Sequence, residues 1–300
     1  LSLLNRAIAG TLPLLPKAVI RPFARPYIAG ETVEQLVREA DALNEQGYLV
    51  ATSQLGEFVT DRAEAEAATA VYRQVLDEVH SRQLSAYVHV KVTQLGLMID
   101  RDFCRDQIRE LLEHAAANGG TFMRMDMEDS PRIDATLGLH RELHPEFPNF
   151  GVVLQARMRR SLDDARELAK VQANVRVCKG VYLEPPEIAY TEPQEIRDHY
   201  LAILRLLLSA GCYVGIATHD DWLITRAEGI IGELGLSSDR YEFQMLHGVR
   251  PRLRETVKQS GHRVRVGLPF GPEWMPYSLR RLRKNPEIAR HVLRAVFSKG

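Results

Sequence analysis

Residues 211–235 read GCYVGIATHDDWLITRAEGIIGELG, and the stretch falls into two halves. The first, GCYVGIAT (211–218), is a short apolar run opened by glycine, as strands tend to be. The second, DDWLITRAEGIIGELG (220–235), opens on aspartates and closes on glycine, the start and stop signals of a helix. A strand passing directly into an amphipathic helix is the repeating unit of a parallel sheet.

The unit recurs along the chain. Apolar runs appear at YLVAT (48–52), SAYVHVKV (85–92), TFMRMDM (121–127) and FGVVLQA (150–156). They continue at NVRVCKG (174–180), GCYVGIAT (211–218), YEFQML (241–246) and HRVRVGL (262–268), with helix-like stretches between them. Strand–helix units of this number over roughly 250 residues predict a (β/α)8 TIM-like barrel. A doubly wound sheet is the alternative, but the chain has no GxGxxG and no GxxxxGK[ST] to support it.

Composition narrows the function. The chain is 45% hydrophobic and 26% charged, with 39 basic and 39 acidic residues, so a nucleic-acid footprint is not expected. Cys104, Cys178 and Cys212 lack metal-like spacing and read as buried thiols in a reducing, cytoplasmic setting. No run reaches the ~20 apolar residues of a membrane span. Residues 1–30 are apolar with basic charges only, and prolines interrupt them; they read first as a docking arm and second as a weak membrane-surface contact.

In such barrels chemistry sits at the C-terminal ends of the strands. Polar residues gather there: Lys91, Asp126, Glu128, Gln155, Arg176, Lys179, Thr218, His219, Asp220, Gln244 and His247. After the last strand, YSLRRLRKNP (277–286) places Tyr277, Arg280 and Arg281 on one helical face. Asn285-Pro286 is expected to end that helix, and a second helix is expected to pack Ile288, Val292 and Val296 on the barrel. A lone His219 or a Lys91–Asp126 pair has an ordinary structural reading, but the excess of cations at one rim points to an anionic substrate or cofactor. The histidines and carboxylates lack HxH or HExxH spacing, so no metal is expected.

The runs VKVTQLGL, RMDMEDSP, VVLQA, VRVCKGVYLEPPEIAY, CYVGIATHD, YEFQMLHGVRP and PFGPEWMPYSLRRL occur in this order. Together they resemble the proline dehydrogenase family, in its compact monofunctional bacterial form. The resemblance implies a distorted barrel (46–300) that binds FAD, with an N-terminal helical arm (1–45) and a C-terminal helix over the mouth. It implies oxidation of L-proline to pyrroline-5-carboxylate by hydride transfer to FAD, with a quinone as electron acceptor. By position, Lys91, Arg280 and Arg281 would bind the substrate carboxylate, Asp126 would hold a cation in place, and Tyr182, Tyr277 and Leu246 would wall the pocket. Gln155, Arg176, Lys179, Gly180, Thr218, His219 and Gln244 would contact the FAD.

Several positions depart from the family's pattern. Gly267 stands where an aromatic is usual, Arg157 where an aromatic is common, and Val181 where alanine is usual; Ser53 and Gln54 replace a longer, acidic version of the first strand's end. Gly267 opens space, which keeps hydroxyproline or another cyclic amino acid as an alternative substrate. A barrel lyase or hydrolase using Asp126 and Glu128 as acid and base is the alternative from a different enzyme class.

Overall fold

A computed structural model describes residues 17–284 of the chain. Helices α1 (Lys17–Ala24) and α2 (Val33–Glu45) precede the barrel. Its first half runs β1 (Leu49–Gln54), α3 (Arg62–Ser81), β2 (Ala86–Val90), α4 (Arg101–Ala117), β3 (Met123–Met125), α5 (Ile133–Leu143) and β4 (Phe150–Gln155). Then follow α6 (Ser161–Lys170), β5 (Val175–Cys178), α7 (Pro193–Ser209), β6 (Val214–Ala217), α8 (Asp221–Glu233), β7 (Tyr241–Leu246), α9 (Pro251–Gln259), β8 (Val264–Phe270) and α10 (Trp274–Lys284). The strands pair in parallel in sequence order, and β8 closes on β1. Each apolar run read from the sequence forms one of these strands.

Period-two alternation explains why the strands take this place. Val88, Val90, Met123, Met125, Val152, Leu154, Val175, Val177, Val214 and Ile216 point outward and are buried beneath the helices. Each contributes about 1.5–3 kcal/mol by leaving water. The helices start where aspartates accept free amide protons: Asp61 from Glu64 N at 3.1 Å and Asp100 from Phe103 N at 2.8 Å.

The alternate residues face the lumen, and many are charged. Arg124 is fully buried, donating to Val152 O at 3.1 Å and Asn174 Oδ1 at 2.6 Å. Arg265 grips Glu242 through two bonds of 2.6 and 2.8 Å and gives a third, of 2.7 Å, to Val50 O. Tyr213 adds a 2.8 Å bond to the same carboxylate. These groups fit because glycines stand beside them in register: Gly151 beside Arg124, and Gly215 between Arg176 and Glu242. A Cβ on Gly215 would lie 2.4 Å from Gln244 Nε2, and one on Gly151 would lie 2.6 Å from Asn174 O.

Outside the barrel, α2 packs its Val33, Leu36, Val37, Ala40 and Leu43 into the main core and lies against β1 and β8. Val33–Glu45, part of the segment read as an arm, thus occupies the helical ring at the β8–β1 seam. That leaves α10, the helix after β8, to run along the rim, where Trp274 and Leu279 pack with Ile20, Ala24 and Tyr27. The side chains of Arg281, Arg283 and Lys284, and the predicted turn and helix beyond, lie outside the described residues. Among the described residues, no helix is long and apolar enough to cross a membrane.

Burial alone would raise the Glu242 carboxyl, but Arg265 and Tyr213 outweigh it and hold the group below its usual range. Glu242→Gln leaves the buried Arg265 without its counter-charge, and the expected loss is about 3–5 kcal/mol of unfolding free energy. Urea denaturation at neutral pH measures it; a loss below about 1 kcal/mol would show that the pair is not a structural keystone.

Candidate active site

The C-terminal ends of the strands surround a cavity of about 1100 Å³. Lys91, just past β2, and Asp126, just past β3, line it with Gln155 at the end of β4. Arg176 on β5, with Lys179, Gly180 and Tyr182 in the following loop, forms the next part of the wall. Thr218 and His219 after β6, Gln244 and Leu246 on β7, and Tyr277 and Arg280 on α10 complete it. Residues far apart in sequence are therefore gathered around one space.

Lys91 is buried, and its ammonium donates to Ser53 Oγ at 3.1 Å and Gln54 O at 3.4 Å. Asp126 Oδ2 supplies counter-charge from 3.7 Å. Its other oxygen takes a 2.6 Å bond from His89 Nδ1. Burial would raise the Asp126 carboxyl, but His89, Lys91 and Arg176 together hold it well below the usual range. Burial pushes His89 down to about 4 despite Asp126, so the imidazole is neutral at physiological pH. Arg280 is half exposed and lies 3.9 Å from Glu57 Oε1.

Across the lumen, Arg176 donates through Nε to Gln244 Oε1 at 2.8 Å. Among the described residues, no carboxylate lies within ion-pair distance of it. Lys179 is bonded to Asp220, which also receives Arg197 Nε at 2.8 Å and caps α8 through Trp222 N at 3.1 Å. Gly180 has φ +96, and a Cβ there would meet Gln155 Oε1 at 2.9 Å. The loop bearing Tyr182 is pinned by Arg157, whose Nη1 donates to Tyr182 O at 2.6 Å. Burial, then the nearby Glu57, Glu128 and Asp126 charges, push the Tyr182 phenol far up, so it is neutral.

Some expectations change with this geometry. Glu128 is not a free acid or base: Thr93 N reaches one carboxylate oxygen at 3.0 Å and Thr93 Oγ1 the other at 2.5 Å. Asp126 is held ionised beside Lys91, while burial raises the Glu128 carboxyl even as Thr93 takes both of its oxygens. His247 turns away from the cavity towards Glu39, 3.6 Å distant, so it does not join His219, Asp126 and Glu128. Among the described residues no group of three His, Cys, Asp or Glu side chains could hold a metal ion. Gln244 lines the cavity, yet its amide nitrogen is committed to Glu242 and Tyr87 at 2.7 and 2.8 Å. His219 accepts Leu246 N at 2.9 Å through Nε2, which ties the ends of β6 and β7 together.

Sequence reading passed over His89, Tyr87, Glu57 and Arg265. The signal was present for two of them, since Tyr87 and His89 precede Lys91 at alternate positions and therefore share its face. Nothing local marks Glu57, which lies in the loop after β1 and meets α10 only through the closed barrel.

A closed parallel barrel with cations and oriented donors around its C-terminal mouth defines an enzyme for a small anionic molecule. The comparisons say which. The family model described as proline dehydrogenase matches residues 36–294, and the chain belongs to the proline dehydrogenase family, oxidoreductases of proline catabolism that act on the CH–NH group of proline. The chain is 30% identical over 276 residues to proline dehydrogenase 1 of Bacillus subtilis, covering 92% of this chain and 91% of that one. It is 33% identical to the proline dehydrogenase of Deinococcus radiodurans, covering 91% and 89%. The barrel also superposes, with a TM-score of 0.84 at 23% identity, on proline utilization A of Bdellovibrio bacteriovorus inactivated by N-propargylglycine. That match covers 89% of this chain but 33% of the other, so the chain spans about a third of its length. The family is generally flavin-dependent.

The Asp220 junction provides a test by pH. Burial would raise this carboxyl, but Arg197 and Lys179 bring it down to about 2, from 3.8. A carboxyl depressed on folding stabilises above its unfolded value, and that contribution is lost as pH falls through the folded one. The stability gap between the wild type and Asp220→Asn is therefore expected to be full above about pH 4 and to shrink towards pH 2. Urea titrations at stepped pH measure it, and a gap constant with pH would contradict the ion-pair assignment.

Proposed function

We propose that this chain oxidises L-proline to pyrroline-5-carboxylate with a bound FAD as hydride acceptor, and that a quinone re-oxidises the cofactor. The observation that carries the reading is the division of the cavity wall. Lys91 and Arg280 stand by β1, β2 and α10, while Gln155, Arg176 and Lys179 stand on the β4–β5 side. One side suits a small carboxylate and the other an electron-accepting ring with phosphates.

The residues fit a flavin on several counts. The space exceeds that of most small-molecule sites, which are roughly 300–1000 Å³. Arg176 faces it without a carboxylate partner among the described residues, and Gly180 keeps the wall free of a Cβ where Gln155 approaches. Arg176, Lys179, Gln155 and Gly180 would hold the cofactor, with Thr218 and His219 further along the rim. The chemistry such a cofactor supplies is acceptance of a hydride from the carbon beside the ring nitrogen.

The protein's own part is orientation. Lys91 and Arg280 take the substrate carboxylate, which fixes the reacting carbon at one height in the cavity. Leu246, Tyr182 and Tyr277 enclose the apolar ring and displace water. The positive charge of Lys91 disfavours an ammonium beside it, so the substrate amine releases its proton more readily before its carbon gives up a hydride.

A second reading rests on Gly267. It faces the cavity from β8, and a Cβ there would have Leu246 Cδ2 at 3.3 Å and Met245 O at 3.8 Å as its nearest neighbours. The absent side chain leaves a gap closed on one side by Leu246, and a ring substituent that shifts Leu246 would favour hydroxyproline or a related cyclic amino acid.

Anaerobic addition of L-proline to the FAD-loaded protein is expected to bleach the oxidised flavin spectrum. Lys91→Met is expected to raise KM for proline about 10–100-fold, the worth of one charge-assisted hydrogen bond. Absence of bleaching by L-proline rejects the first reading; faster bleaching by hydroxyproline replaces it with the second.

A further inference from the structure

The hydrogen bonds in the lumen form a chain whose direction is fixed from both ends. Arg176 can only donate, so the Gln244 atom 2.8 Å from its Nε is the amide oxygen. The amide nitrogen of Gln244 then donates to Glu242 Oε1 at 2.7 Å, an oxygen that can only accept, and to the Tyr87 oxygen at 2.8 Å. Tyr87, accepting there, turns its own proton to His89 Nε2 at 3.2 Å. His89 must therefore carry its proton on Nδ1, which donates to Asp126 Oδ1 at 2.6 Å. Along the path Arg176, Gln244, Tyr87, His89, each link donates towards Asp126, and the second amide proton of Gln244 goes to Glu242.

What the chain does to Lys91 follows from the distances. Lys91 has hydrogen-bond partners in Ser53 and Gln54, while Asp126 Oδ2 stays 3.7 Å away, an ion pair without a hydrogen bond. An unrestrained carboxylate beside an ammonium closes to about 2.8 Å. Here the bond from His89 holds the other oxygen and so fixes the carboxylate's position.

We infer that His89 is a positioning residue: by holding Asp126 back from Lys91, it leaves the Lys91 ammonium free to take the substrate carboxylate. The inference rests on the reading of Lys91 as carboxylate anchor. Without His89, Asp126 swings onto Lys91 and draws the ammonium out of the cavity. A displacement of about 1 Å at such an anchor costs on the order of 100-fold. Asparagine in place of histidine puts an amide N–H where Nδ1–H stands, whereas the glutamine amide corresponds to Nε2.

The test measures binding of an unreactive carboxylate, cyclopentanecarboxylate, to the FAD-loaded protein through the flavin spectrum. His89→Leu and His89→Gln are expected to raise Kd about 10–100-fold, and His89→Asn to stay within about threefold of wild type. KM for proline is expected to follow the same order, with kcat changing less. Independently of any variant's folding, nitrogen NMR of the wild type is expected to find His89 protonated on Nδ1 and not on Nε2. An Nε2-protonated ring, affinity unchanged in His89→Leu, or His89→Asn as weak as His89→Leu overturns the inference. Bleaching of the wild type by L-proline serves as the control. Failure there rejects the function, whereas success with a flat His89 series rejects only the role of His89.

Discussion

The two-pronged contact between Arg265 and Glu242 is the constraint on which the rest of this barrel is built. It closes the lumen below the cavity with charges instead of the branched aliphatic layers that usually fill such barrels. Buried charge is tolerated only when it is paired and fully hydrogen-bonded. Glu242 meets that condition by accepting from Arg265, Tyr213 and Gln244 together. The space comes from glycines at neighbouring register positions, so the composition of β4 and β6 is set by side chains on β3 and β7.

Polarity then builds from this floor towards the mouth. Gln244 and Tyr87 connect the floor to His89, and His89 connects to Asp126, whose charge sits under Lys91. Arg265 is matched by Glu242 deep in the lumen, whereas Arg176 has no carboxylate within ion-pair distance among the described residues and the half-exposed Arg280 has Glu57 at 3.9 Å. Such an arrangement attracts an anion to the mouth and keeps the interior rigid, because each lower group is held from more than one side. The departures from the family pattern also have places in it. Ser53 accepts a bond from Lys91, and Arg157 pins the backbone of the loop that carries Tyr182.

The fold was legible because each strand announces itself twice, by its apolar outward positions and by the turn residues at its ends. The rim residues were legible because charge at the end of an apolar run is conspicuous. Pairing across strands was not. Arg265 and Glu242 lie 23 residues apart and Tyr87 and Gln244 157 apart, and only closure of the barrel brings them together. Reading each strand back by two residues from its end would have flagged His89 below Lys91, Arg124 below Asp126 and Glu242 below Gln244. A carboxylate near a strand end looks alike in sequence whether or not a neighbouring turn also holds it, as Thr93 holds Glu128 at the cavity wall.

The central claim is that the cations at the β1–β2 edge of the mouth recognise the carboxylate of a cyclic amino acid. L-Prolinamide keeps the ring, the amine and the reacting carbon of L-proline and lacks only that charge. Anaerobic reduction of the FAD-loaded protein by the two compounds is therefore the most direct measurement. The account predicts ready reduction by L-proline and reduction by L-prolinamide at least about 100-fold less efficient, the combined worth of the charge-assisted contacts. Equal efficiency with the two would contradict it.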